Sequence, residues 1–147
     1  MVCIYPNYSP SSKISTNIRN LIHDSIMRDI YNVLSEKGDL IQIIVEIALN
    51  SMGDVQLELY ECLDRMIIYD WILEKLLSEI FLNFLLSRNP AHIPAAKVSK
   101  YRLVQNIHSR CQSMRSVSNE TIRRLEKFVN EGPFYQKPIT TVADESQ

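Results

Sequence analysis

Few residues in this 147-residue chain have the type and spacing to do chemistry. His108 and Cys111 stand three positions apart, where two metal ligands share one helix face. A structural zinc site needs a second such pair, and none follows. The pair therefore reads as a core cysteine beside a surface histidine, and no metal is expected. A nucleophilic thiol needs an electropositive setting. Cys62 lies instead between Glu61 and Asp64, and Cys3 sits in a proline-containing stretch. Paired carboxylates could serve acid–base hydrolysis, and Glu58/Glu61 and Asp70/Glu74 are the candidates. Both pairs fall on helical rows that read as solvated or bridging. The Glu-x-x-His motif of di-metal bundles is missing. An enzyme site would need His23, His92 or His108 brought beside a carboxylate by the fold.

The three glycines exclude another chemistry. Gly38, Gly53 and Gly132 are all far apart, so no glycine-rich loop can cradle a phosphate before a helix. No cofactor and no catalytic residue are expected. Each glycine instead follows a helix-like stretch, as a left-handed residue past a helix end would. Asp39 and Asp54 come next in two cases and read as N-caps. Pro133 follows the third and stops the helix.

These marks define the elements that would position any site. A first helix is expected over about 13–37, with Ile14, Ile18, Leu21, Ile22 and Ile26 at helical spacing. Residues 40–51 are rich in isoleucine, yet Gln42, Glu46 and Asn50 form a row four apart, which favours helix over strand. From Asp54 to Ser87 the pattern is helical throughout, and beyond Met66 it is apolar nearly all round, the mark of burial. The polar face shifts near Arg65 to Tyr69, which is compatible with a bend there. Residues 88–94 carry two prolines and read as a linker. The next helix begins at Pro94 and runs to about Met114. Leu103, Val104, Ile107, Cys111 and Met114 occupy about 100° of its circumference. Ser118 caps a last helix over 119–131, with Val117 and Ile122 as a hydrophobic staple.

The expected fold is all-α: a five- or six-helix bundle with a long, largely buried central helix over about 54–87, bent if anywhere near 65–69. A loose N-terminal arm (1–11) precedes a single helical domain (12–132), and a tail (133–147) follows. An odd count of three cysteines and the lack of a signal-like N-terminus point to an intracellular chain, in cytoplasm or nucleus. The most apolar stretch, 66–86, holds four charges, which argues against a membrane span.

Charge is segregated behind a net total of −1. Residues 36–79 hold ten acids against three bases, and residues 88–127 hold nine bases against two acids. On the 94–114 helix the bases scatter around the axis, and Lys100 falls inside the apolar arc. On the last helix Arg123, Arg124 and Lys127 share a face opposite the apolar one. Basic helices lying against acidic ones within one bundle is the first expectation.

The reading is a non-catalytic protein–protein interaction module, an adaptor or subunit of a larger assembly, whose partner is another protein or a second copy. A nucleic-acid-associated accessory protein is the alternative, using Arg115, Arg123, Arg124 and Lys127. Phe134 and Tyr135 join those four as candidate interface residues, because adjacent aromatics beside Pro133 suit docking or back-packing.

Overall fold

The computed structural model describes residues 11–89 and 92–138, with side chains for 20–89 and 92–138. Among the described residues the chain forms seven helices and no strand. They are α1 (Ser11–Ser35), α2 (Leu40–Asn50), α3 (Gly53–Met66), α4 (Asp70–Leu76), α5 (Glu79–Leu86), α6 (Pro94–Cys111) and α7 (Asn119–Glu131). The arm over 1–10 and the tail beyond 138 lie outside the described residues. The chain falls into two units, Met1–Leu40 and Ile41–Gln147.

In the first unit, α1 is a single long helix on which Ile22, Ile26 and Ile30 stand exposed. The second unit carries the core. There α6 packs on α3 and α7, and α5 packs on α7. The buried face of α6 is Ala96, Ser99, Lys100, Leu103, Val104, Ile107 and Cys111. Tyr60 and Leu63 come from α3, Phe81, Leu82, Phe84 and Leu85 from α5, and Leu125 and Phe128 from α7. Each such large side chain contributes about 1.5–3 kcal/mol on leaving water.

The expected long helix over 54–87 is three helices. Tyr69 takes extended geometry (φ −90°, ψ 117°) before α4, at the expected bend. A second break falls at Leu77–Ser78. Ser78 is extended (φ −60°, ψ 149°), and its hydroxyl accepts from the Phe81 amide as the N-cap of α5. The physical reason lies in the apolar surround. A straight helix apolar on every side would need partners on every side, whereas three short helices turn Ile72, Leu73 and Leu76, then Phe81 and Leu85, towards one core. The helix count therefore rises to seven.

Two of the glycines behave as expected and one does not. Gly38 (φ 146°) follows α1 and Gly132 (φ 83°) follows α7 in backbone that disfavours side chains. Gly53 is not past a helix end. It is the first residue of α3, with Met52 as N-cap and Asp54 already in the first turn. Its value is closeness: a Cβ there would lie 2.8 Å from Ile93 Cγ2. Gly53→Ala should therefore destabilise the fold by about 1–3 kcal/mol, the usual range for overpacking. Urea denaturation reads this out, and in an Ile93→Ala background most of the cost should disappear.

Candidate functional site

The opposed charge blocks meet inside the second unit. Arg102 on α6 lies 3.5 Å from Asp64 and 3.8 Å from Glu61 on α3. Asn106 donates to Asp64 at 2.7 Å, and Arg110 pairs with Asp70 at the start of α4. On α7, Arg124 Nη1 donates to both Glu79 oxygens at 3.1 Å, while its Nη2 donates to Asn83 at 2.8 Å. These are exposed pairs, each contributing about 0–1 kcal/mol, so they set register more than stability. Three bases of the basic block are thus spent on acids of the acidic block.

Two further bases are spent on helix ends. Helix C-termini leave carbonyls without intrahelical partners and concentrate negative partial charge. Lys100 is 3% exposed, and its Nζ donates to Ser87 O at 2.6 Å and Phe84 O at 3.2 Å, closing the end of α5. Arg88 leaves that same end and closes α7. Its Nη1 donates to Gly132 O at 2.7 Å, and its Nη2 to Phe128 O at 3.1 Å and to Glu131 at 3.2 Å. The guanidinium also lies 3.5 Å from the centre of the Phe128 ring. Tyr101 donates to Val129 O at 3.1 Å on the same helix end.

A cleft of about 290 Å³ opens where these ends converge. Arg88, His92, Lys97, Lys100 and Lys137 are among its lining residues, and Phe128, Phe134 and Tyr135 supply aromatic surface. Among the described residues no Asp or Glu lines it. Burial, then the Arg88 charge, pushes the Lys100 ammonium down to about 7. His92 is lowered by burial, then by Lys100 and Lys97. His92 also packs against Tyr60, ring centres 6.2 Å apart. The Tyr60 hydroxyl is buried without a hydrogen-bond partner among the described residues, and burial pushes its ionisation up.

The candidate residues do not act as one set. Arg124 is held by Glu79 and Asn83. Arg115, Arg123 and Lys127 are exposed. Phe134 is 59% exposed at the cleft, and Tyr135 is half-buried there, its ring centre 5.6 Å from the Arg88 guanidinium. Arg88 carries no local signal in a stretch that reads as linker, and His92 is brought beside Tyr60 and the Lys100 region, with no carboxylate among the described lining residues. The placing of Lys100 inside an apolar arc was the one available signal. The histidines form no metal cluster: among the described residues no group of three or more His, Cys, Asp and Glu could hold an ion. Cys111 is buried, and burial pushes its thiol up to about 11 despite Arg110. Among the described residues no helix is long and apolar enough to cross a membrane.

Residues 15–147 match the family described as proteasome non-ATPase 26S subunit. The chain belongs to that family. Over 65 residues it is 34% identical to the 26S proteasome non-ATPase regulatory subunit 5 of Mus musculus and 32% identical to that of Homo sapiens. Those residues are 44% of this chain and 13% of each relative's length, so the chain matches only a small part of them. The Bos taurus subunit is 34% identical over the same length. No solved structure matches the chain.

The Lys100 cap gives stability a pH dependence. Between pH 7 and 9 the unfolded chain holds more protons at Lys100, whose ordinary value is 10.5, than the fold does. Stability therefore rises with pH across that window. From pH 9, the ordinary value for cysteine, buried Cys111 keeps a proton that the unfolded chain releases, which offsets the Lys100 rise; above about pH 10 Tyr60 does the same and stability falls. Urea midpoints should climb from pH 7 to 9, level off, and fall above about pH 10. Lys100→Met should remove the climb and keep the fall.

Proposed function

We propose that this chain is a non-catalytic, protein-binding subunit or adaptor of a proteasome regulatory assembly, working inside the cell in cytoplasm or nucleus. The family match over 15–147 carries the reading, and the relatives' names place them as non-ATPase regulatory subunits of the 26S proteasome. Its surface supports the same view. Arg102, Arg110 and Arg124 pair within the chain, so these acidic and basic helices set one another's register and are not all free for a partner. What remains for a partner is Arg115, Arg123 and Lys127, with Phe134 and Tyr135 at the cleft. Exposed cations beside an exposed aromatic suit a protein interface, where Arg and aromatics concentrate binding energy. With Arg124 engaged by Glu79, the four-base stripe wanted for nucleic acid is reduced to three.

Gradient sedimentation of the purified chain with 26S proteasome regulatory particles tests the assembly. The chain should move with the particles and add no ATP hydrolysis of its own. Sedimentation at the position of the free 17.1 kDa chain, with particles in excess, would overturn the reading.

A further inference from the structure

We propose that the exposed apolar stripe of α1 is the seam of a weak homodimer, in which α1 of a second copy of this chain covers it. This goes beyond the assembly reading and stands whether or not that reading does. The first unit holds one helix among its described residues, so it has nothing of its own to pack that helix against. None of residues 20–35 is buried. Leu21, Ile22, Ile26, Ile30, Val33 and Leu34 are between 45% and 70% exposed. At 100° per residue, Ile22, Ile26, Ile30 and Val33 fall within about 80° of the circumference. Met27 and Tyr31 are half-buried on the other side, where Arg28 also pairs with Asp24 at 2.9 Å. An apolar row on one face with an ion pair on the other is the pattern of a helix that packs by its apolar face. Single exposed aliphatics need no cover, but a contiguous row does.

Three observations select a second copy. The first is shape. In sequence the row of four-residue steps runs unbroken from Ile14 through Ile18, Ile22, Ile26 and Ile30 to Leu34. Side chains four apart form a ridge, and the groove beside it takes another ridge of the same inclination. A copy brings that ridge by symmetry, in an isologous contact that closes at two chains.

The second is charge. α1 carries three bases and two acids, so two copies meet without strong repulsion. A helix lying on an anionic membrane carries a basic polar face, whereas here Asp24 offsets Arg28 and Asp29 stands at the edge of the stripe. The third is area. Six half-exposed aliphatic side chains leave on the order of 100 Å² open each, so two stripes together cover on the order of 1,000 Å². That is near the lower bound for a specific interface and too little for a permanent one. The dimer is therefore expected to exchange, with half-dissociation at about 10–100 μM.

Sedimentation equilibrium of the full chain between about 1 and about 300 μM tests this. The average mass should rise from 17.1 kDa towards twice that value, and added salt should change the midpoint little, because the seam is apolar. Ile26→Glu alters an exposed side chain at the centre of the stripe. It should raise the dissociation constant at least about tenfold, because the new charge would be buried unpaired against the partner. At about 1 μM, where the chain is monomeric, its helicity and urea midpoint should match the parent. Asn20→Glu, exposed on the same helix but off the stripe, should leave the dimer intact. A monomer at every concentration would overturn the proposal, as would a dimer that Ile26→Glu leaves unchanged. A monomer whose co-sedimentation with regulatory particles is lost on Ile26→Glu would assign the stripe to the assembly. A monomer that Ile26→Glu releases from phosphatidylserine vesicles would assign it to a membrane. Either result would sink the dimer.

Discussion

Every α-helix ends in carbonyls that its own amides cannot reach, and this chain has few residues to answer them locally. Only three glycines are available, and one of them is used for close packing on Ile93. Seven helices with so few left-handed terminators need another solution. The second unit finds it in side chains sent from other elements. Gln56, buried on α3, donates to Ala48 O at the end of α2 at 2.9 Å. Lys100 from α6 closes α5, and Arg88 closes α7 with help from Tyr101. These bonds satisfy buried or part-buried polar groups, so removing one partner leaves the other less well compensated.

This arrangement ties the helix ends to one another. Arg88 follows immediately on α5, whose end Lys100 holds, and it in turn holds the end of α7. Thus α5, α6 and α7 are joined by hydrogen bonds as well as by Leu85, Leu103 and Phe128 in the core. The breaks at Tyr69 and Ser78 belong to the same logic. They place Asp70 where Arg110 reaches it, and Glu79 and Asn83 where Arg124 does. A continuous helix would have kept Asp70 and Ser78 on one polar row and left Ser78 without its capping role.

Local patterns were legible, and distant partners were not. The α6 arc of Leu103, Val104, Ile107 and Cys111 is buried as its spacing required, and Pro94 begins that helix, but Met114 of the same arc lies past the helix end at Cys111 and is half-buried. Ser118 caps α7, accepting from Thr121 N at 3.1 Å, and Gly132 with Pro133 ends it. These depend on residues within one turn. Ser78 was also a local signal, but the unbroken apolar run around it outweighed a single serine. Gly53 could not be read, because its constraint is Ile93, forty residues away. The cleft was least legible of all. Lys100 stood out as a charge on an apolar face, yet its acceptors are backbone carbonyls, which look alike in any sequence.

The segregated charge of the chain is best understood as two separate uses of the basic block. Arg102, Arg110 and Arg124 meet carboxylates, and full charge against full charge leaves little field behind. Lys100 meets carbonyls at the end of α5, and Arg88 meets carbonyls at the end of α7 together with the Glu131 carboxylate. The depressed ionisation of Lys100 comes first from burial and then from the Arg88 charge. The ends of α5 and α7 are thus held by two side chains of the basic block, and that use is separate from the ion pairs that join the acidic and basic helices.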